Sequence, residues 1–169
     1  HAYWGSLGIS PADKTTLDAL YVTGKTYPVI EGTSNEWWAG QRSLGDAIMS
    51  CPAKHASLSI SGQQHVYEYF FEHVSSYADD NADLVTHASE LPYVFHMNPL
   101  FFKSPPDRGM SNVMATYWGN FLMSAKSDPN EHHVGVPNLP TWPLFSAADD
   151  VHVMDLVERS NVADIASFK

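Results

Sequence analysis

Among the His, Asp and Glu side chains of this sequence, two stand at positions that suit acid–base chemistry. His87 precedes the run Glu-Leu-Pro-Tyr-Val-Phe at 90–95, which is typical of the first turns of a buried helix. Glu36 follows the hydrophobic segment 26–30, which we predict to be a short strand that stops at Gly32. In a nucleophilic hydrolase, a histidine takes the proton of an attacking hydroxyl and a carboxylate holds the imidazole in the correct tautomer. His87 and Glu36 are therefore candidates for these two roles.

The predicted elements place both residues after strands. The aromatic and β-branched segment 65–74 follows Gly62 and predicts a buried strand, and a polar loop leads from it to His87. In open α/β sheets, functional residues gather at the carboxyl ends of strands, where loops present them over a crevice. This placement suits an acid, Glu36, that orients a base, His87.

The sequence contains no motif typical of the serine nucleophile of such a site. In one large class of serine hydrolases, the serine stands in G-x-S-x-G on a sharp turn from strand to helix. The stretches GTSNE, LSISG and GMSNV all fail this spacing, and no HGGG-type stretch supplies oxyanion-hole amides. The chain therefore holds at most the last two members of a triad.

The clearest predicted helix spans residues 110–125. Its apolar residues recur at three- and four-residue steps, and Asp107 or Ser111 can cap its start. This spacing predicts that its Trp and Tyr residues pack in the core and do not form a stacking platform for bases or sugars.

Shorter elements complete the pattern. Helices are predicted at 14–21 and from 43 to about 57, with an interruption at Pro52, and residues 151–157 predict an edge strand. Strands separated by helices indicate an α/β domain. Because two or three strands are too few for a self-sufficient sheet, we expect part of the fold to be missing.

Composition excludes several classes of function. The chain has 169 residues, 44% of them hydrophobic, and no repeat or charge block, which suits a single domain over 1–169. Its formal net charge of -10 argues against nucleic acid and anionic membranes as partners, because such binding needs clustered cations. No apolar run approaches the roughly 20 residues that cross a bilayer. The stretch EHH at 131–133 lacks any metal-binding spacing, so no metal site is predicted.

Four landmarks resemble the type-B carboxylesterase and lipase family, the α/β-hydrolases that include the cholinesterases. The stretch HASELPYVF at 87–95 is similar to the family's catalytic-histidine motif, and residues 51–71 to its Cys-Pro helix and Tyr-rich strand. ATYWGNFLMSAKSDPN at 115–130 resembles its Tyr-Trp-x-x-Phe helix, and WPLF at 142–145 its Trp-Pro-aromatic stretch. The resemblance implies the C-terminal part of an α/β-hydrolase fold, with the last strands of the central sheet and their packing helices, incomplete on its own.

The resemblance also implies a function. It predicts a carboxylic ester hydrolase, a serine esterase or lipase that acts without a cofactor on small-molecule or lipid carboxylic esters. His87 aligns with the family's general base and Glu36 with its acid, while the serine and oxyanion hole belong to the remainder of the domain. This segment alone is then expected to be inactive. The alternative is a catalytically inactive cholinesterase-like module for adhesion or assembly.

Two further expectations concern the extent and location of the chain. The spacing from Glu36 to His87 is shorter than in the family, which predicts a missing segment near 40–41. Cys51 is either a buried thiol or half of a bridge to a cysteine elsewhere. In many secreted family members the cysteine of this motif bonds to one near the C-terminus, which implies an extracellular protein. The start at His1 instead of Met predicts a processed, truncated or partly observed product, and a homo-oligomer stays open.

Each candidate residue also has a non-catalytic interpretation. His87 could cap the helix at 90–95 or satisfy a buried carbonyl, and Glu36 could be a solvated loop carboxylate. Trp37 and Trp38 either line an acyl or alcohol pocket or pack under a lid, and the sequence favours neither.

Overall fold

The computed structural model describes residues 8–76, 85–97, 102, 104–146, 153–156 and 167–168. The chain divides into two compact units, His1–Ala56 and Ser57–Lys169. Among the described residues, no helix is long and apolar enough to cross a membrane. The expectation of a single domain over 1–169 stays a prediction.

The described part of the first unit is helical. Helix α1 spans Pro11–Tyr21 and helix α2 spans Asn35–Gly45. The hydroxyls of Ser10 and Ser34 cap these helices, since each accepts a hydrogen bond from a backbone N–H of the first turn at 3.2 Å. The helix predicted at 14–21 is thus confirmed, and it begins three residues earlier, at Pro11. A proline is favourable in the first turn because an N–H at that position has no acceptor within the helix.

The predicted interruption at Pro52 takes the form of a π turn. The turn spans Asp46–Ser50, and helix α3 follows it directly at Cys51–Ile60. Proline has no N–H, and its ring clashes with the carbonyl four residues earlier in a regular helix. Here that carbonyl belongs to Ile48, inside the wider turn, so the chain stays helical across the proline.

Two sequence predictions in the first unit are wrong. The strand predicted at 26–30 does not form, and Val29 is fully exposed. A strand needs a neighbour for its backbone groups, and the described part of this unit has no other strand. Of the two alternatives for Cys51, the buried thiol is wrong, because Cys51 and its neighbours Ser50 and Pro52 are exposed, and a bridge to a cysteine elsewhere stays a prediction. Residues 40–41 lie inside α2, and the missing segment near them stays a prediction.

The second unit contains the sheet. Strand β1 spans Glu68–Phe71, β2 spans Val153–Leu156 and β3 spans Ser167–Phe168. Only the middle of the strand predicted at 65–74 is therefore a strand, and one further hydrogen bond, from the Glu72 N–H to the Leu156 carbonyl at 3.0 Å, continues its pairing with β2. The described strands lie in the order β1-β2-β3, so β2, predicted to be an edge strand, is the central strand.

The two pairings of the sheet differ in direction. β1 is parallel to β2, with Glu68 opposite Val153 and Phe71 opposite Leu156. β2 is antiparallel to β3, with Val153 opposite Phe168. Leu156 is fully buried, as expected of a strand with neighbours on both sides.

In the described part of the chain between β1 and β2, there are two helices. Helix α4 is a single turn, Leu91–Val94, and helix α5 spans Pro105–Met123. The helix predicted at 110–125 is confirmed, but neither Asp107 nor Ser111 is its cap. Ser104 and Asp107 form a capping box instead, in which the hydroxyl of Ser104 accepts from the Asp107 N–H and the carboxylate accepts from the Ser104 N–H.

The core of the second unit lies between α5 and the strands. The predicted core role of the α5 aromatic residues is confirmed, since Tyr117 is buried and Trp118 packs against the same cluster. The indole N–H of Trp142 donates to the carbonyl oxygen of Glu68 at 2.9 Å, which ties the stretch after α5 to β1. The buried cluster consists of Tyr93, Phe102, Met110, Val113, Met114, Tyr117, Trp142, Met154 and Leu156.

Candidate active site

His87 lies exposed in the turn that leads into α4. Hydrogen bonds from the Ser89 N–H to the Thr86 carbonyl at 3.1 Å and from the Leu91 N–H to the Ala88 carbonyl at 3.2 Å close this turn. Ala88 has a φ of 68°, a left-handed conformation that costs a non-glycine residue about 1–3 kcal/mol and persists only when the surroundings hold it. The residue next to the candidate base is therefore fixed in a strained conformation.

The non-catalytic interpretations of His87 find no support in this geometry. No side-chain hydrogen bond caps α4, whose N-cap residue is Glu90, so His87 does not act as a cap. Its exposure also argues against a histidine that satisfies a buried carbonyl. The catalytic role of His87 stays a prediction.

The buried carboxylate of Asp107 is the main polar centre of the second unit. Its oxygens accept hydrogen bonds from His73 Nε2 at 2.8 Å, Tyr93 Oη at 2.9 Å and Ser104 Oγ at 2.7 Å. The hydroxyl of Ser76 also donates to it, and the Ser76 N–H lies at 3.3 Å. These donors come from the segment that follows β1, from α4 and from the N-cap of α5, so one carboxylate joins three parts of the unit.

This carboxylate is ionised. Burial alone would raise the pKa of Asp107, but the hydrogen bonds from Ser76, Ser104, His73 and Tyr93 outweigh burial and hold the pKa well below its usual range. An ionised carboxylate can only accept, so Nε2 of His73 carries the proton in their hydrogen bond.

Sequence reasoning did not find this centre. Ser104 and Asp107 have the spacing of a capping box, Ser-x-x-Asp, which could have revealed the local half of it. Nothing in the sequence indicates that His73 meets a residue so distant along the chain.

Glu36 lies at the start of α2 and not after a strand. Its carboxylate is fully exposed and stands in the first turn of the helix. A hydrogen bond from its own backbone N–H, followed by one from the Ser34 hydroxyl, lowers the pKa of Glu36. Negative charge at this end of a helix is also favoured by the helix dipole. Glu36 belongs to the first unit and His87 to the second, and their action as a pair stays a prediction.

The two neighbouring tryptophans have different surroundings. The rings of Trp37 and Trp38 are 4.8 Å apart between centroids and nearly perpendicular. Trp38 donates its indole N–H to the Thr33 hydroxyl at 3.2 Å, whereas Trp37 is exposed. A role for either in lining a substrate pocket stays a prediction.

The described residues contain no group of three His, Cys, Asp or Glu side chains placed to hold a metal ion. Within the stretch EHH, Nε2 of His133 lies 3.0 Å from a carboxylate oxygen of Glu131. Two of the three side chains of this stretch therefore bind each other at the surface.

Comparison with known proteins identifies the class. The model of the Carboxylesterase family matches residues 23–167, a span that includes Glu36, His87 and all four sequence landmarks. The chain therefore belongs to the carboxylesterase family, whose members have the α/β-hydrolase fold, and the predicted resemblance is confirmed. The parallel strands β1 and β2 with their connecting helices are consistent with that fold.

One relative shows what fraction of a longer protein this chain matches. The chain is 27% identical over 135 residues to acetylcholinesterase 1 of Caenorhabditis elegans. The matched region is 76% of this chain and 21% of the relative, so the chain spans about a fifth of the length of that protein.

Proposed function

We propose that this chain is part of a carboxylic ester hydrolase with a serine mechanism, in which His87 is the general base and acid. Membership of the carboxylesterase family and the likeness to an acetylcholinesterase support ester hydrolysis in general. The observation on which the role of His87 rests is its exposed position in the turn before α4, within the family's histidine motif and beside the strained Ala88.

The mechanism follows from the groups present. The imidazole of His87 takes the proton of the serine hydroxyl as its oxygen attacks the ester carbonyl, and then donates that proton to the leaving alcohol. Water cleaves the acyl intermediate with help from the same base. The carboxylate of Glu36 orients the imidazole, and its lowered pKa keeps it ionised for this role.

The serine and the oxyanion hole belong to a part of the domain outside these residues. The supporting observation is that β1 is the end strand of the described sheet, which leaves one side for a further strand. We infer that the second unit is the C-terminal part of the hydrolase sheet, incomplete and inactive on its own. The missing segment near 40–41 is part of the same proposal.

The proposed substrates are small-molecule or lipid carboxylic esters. We also propose an extracellular protein, because the exposed thiol of Cys51 is accessible for a bridge to a cysteine elsewhere, as in secreted members of the family. A homo-oligomer remains an open alternative.

A catalytically inactive module for adhesion or assembly is the second candidate. Exposed apolar side chains along α2 and the π turn favour it, since such surfaces often contact other proteins. These residues are Trp37, Leu44, Ile48 and Met49.

The test of His87 compares two histidine substitutions in the full natural chain. We expect His87→Gln to lower kcat at least about 1,000-fold, because the serine loses its base. His132→Gln, at another exposed histidine, serves as the control and keeps wild-type activity. A fluorophosphonate probe should label a serine outside these 169 residues, and only when His87 is present.

The outcomes separate the two candidate functions. Full activity of His87→Gln, or a labelled serine within these residues, would refute the assigned roles. A wild-type chain that neither hydrolyses esters nor reacts with the probe would support the inactive module.

The acid is tested in the same way at two neighbouring carboxylates. Glu36→Gln should lower kcat by about 1,000-fold to 10,000-fold, because a neutral amide no longer stabilises the imidazolium. Glu31→Gln is the matched control, an exposed glutamate in the preceding loop. A loss of activity at Glu31 in place of Glu36 would reassign the orienting role.

A further inference from the structure

Helix α4 is too short to be stable without contacts to the rest of the unit. It has a single turn, Leu91–Val94, and isolated helices of this length are not stable in water. The preceding turn contains Ala88 in a left-handed conformation, which also needs support from its surroundings. Contacts made by α4 therefore determine where the backbone of His87 lies.

Tyr93 makes the most deeply buried of these contacts. Its side chain is 2% exposed, and its ring centroid lies 5.4 Å from that of Phe71, 5.1 Å from that of His73 and 5.0 Å from that of Phe102. Its hydroxyl donates to Asp107 Oδ1 at 2.9 Å. The ring contacts fix the distance of α4 from β1, and the hydroxyl bond fixes its orientation.

A continuous set of hydrogen bonds connects Tyr93 to the turn. The Tyr93 N–H donates to the Glu90 carbonyl at 2.9 Å, and the Leu91 N–H donates to the Ala88 carbonyl at 3.2 Å. Only five residues separate His87 from Tyr93, and all of them lie in this bonded turn or in the first residues of α4. A shift of the Tyr93 ring therefore moves the backbone of His87.

We propose that Tyr93 is a positioning residue for His87, acting through the hydrogen bond between its hydroxyl and the buried carboxylate of Asp107. This inference rests on the proposed function of His87 as general base. Tyr93 lies in the core and does not touch the substrate. Its contribution is to keep the imidazole within reach of the serine hydroxyl, where a misplacement of about 1 Å can cost roughly 100-fold in rate.

The chain offers a matched control for this role. Tyr117 is also buried, at 1% exposure, and its hydroxyl donates to a single acceptor, the Pro140 carbonyl. Tyr93→Phe and Tyr117→Phe each remove one buried hydroxyl bond from the same core. Both should therefore lower Tm by a few degrees, with the larger loss in Tyr93→Phe, because the Tyr93 hydroxyl bonds an ionised acceptor.

Activity separates the two variants. In the full natural chain, we expect Tyr93→Phe to lower kcat about 10-fold to 100-fold with little change in KM, because His87 acts in the chemical step. Hydrogen exchange of the amides at 86–91 should also become faster in this variant. Tyr117→Phe should leave both kcat and this exchange unchanged.

The result that would overturn the inference is a wild-type kcat in Tyr93→Phe beside an inactive His87→Gln, or equal losses of kcat in both tyrosine variants. Full activity of His87→Gln would instead overturn the proposed function. If Tyr93→Phe fails to fold, Ser111→Ala replaces it, since the Ser111 hydroxyl donates to the Tyr93 carbonyl at 3.3 Å. Ser111→Ala loosens α4 at a second bond to Tyr93, so a wild-type kcat in it would overturn the dependence of His87 on the position of α4, and with it the positioning role.

Discussion

The Nε2 atom of His73 lies 2.8 Å from Oδ1 of Asp107, and the two side chains are 1% and 0% exposed. A charge this deep loses its hydration, which costs several kcal/mol unless partners replace the water. The carboxylate has four side-chain donors from the second unit, so its lost hydration is offset. Removal of either side chain of this pair should therefore lower the free energy of unfolding more than an average substitution does.

Asp107→Asn should lower the free energy of unfolding by about 3–5 kcal/mol at pH 7, because it leaves the buried donors without their charged acceptor. The pKa of Asp107 is lowered in the folded state relative to about 3.9 when unfolded. Its stabilisation is therefore fully present above about pH 4 and is lost as pH falls further toward the folded pKa. Urea denaturation at pH 7, 5 and 3 measures this difference.

The difference in stability between wild type and Asp107→Asn should shrink at pH 3. Glu31→Gln, at an exposed carboxylate in a loop, is the control and should differ from wild type by no more than about 0.5 kcal/mol at pH 7. A gap between wild type and Asp107→Asn that stays constant from pH 7 to pH 3 would contradict the linkage.

A second prediction concerns the start of α2. Ser34→Ala removes the cap and should lower the free energy of unfolding by about 0.5–2 kcal/mol. It also removes a hydroxyl that lowers the pKa of Glu36, so that pKa should rise toward its ordinary value. Titration of the Glu36 side-chain carboxyl by ¹³C NMR measures the change.

Ser10→Ala is the matched control for this effect. Ser10 caps α1 through the same bond to a backbone N–H, so its loss should cost a similar amount of stability. The pKa of Glu36 should not move in this variant. An equal change in both variants would show that Ser34 has no specific effect on the carboxylate.

The third prediction concerns Gly135, which has a φ of 79°. A Cβ added there would lie 2.0 Å from the hydroxyl oxygen of Thr116, which accepts from the Val136 N–H at 3.0 Å and donates to the Asn112 carbonyl. Gly135→Ala therefore combines backbone strain with the displacement of a bonded side chain. Thermal unfolding should show a loss of about 2–5 kcal/mol.

Gly24→Ala isolates the backbone part of that cost. Gly24 has a φ of 68°, and nothing lies within 4 Å of an added Cβ. Its loss should be only about 1–2 kcal/mol. Equal losses at the two glycines would mean that the Thr116 contact adds nothing.

Local signals in the sequence predicted most of the helices, but α2 begins at Asn35, eight residues before the predicted start at residue 43. The three- and four-residue apolar steps indicated α5, whose start at Pro105 follows from the Ser104 cap and not from the apolar pattern. The effect of Pro52 was also predictable, because its missing N–H acts within one turn of the chain. Such signals depend only on neighbours in sequence.

Long-range features could not be predicted in the same way. Residues 26–30 have the composition of a strand, yet a strand forms only beside a partner, and the described part of their unit has none. The same limit applies to the central position of β2 and to the meeting of His73 with Asp107. The family motif around His87 indicated its role without revealing that Tyr93 anchors the turn.

The parallel pairing of β1 with β2 has a consequence for the order of folding. Val153 pairs with Glu68, and the segment between them contains α4 and α5. Bringing the two ends of this long segment together costs conformational entropy before the hydrogen bonds of the pairing can form. The capping box and backbone hydrogen bonds of helix α5 are local in sequence, so this helix can form while the sheet is still open. We expect the helices to assemble early and strand β2 to dock late, so that ribosome-bound chains lacking β2 expose the apolar side of α5 to chaperones.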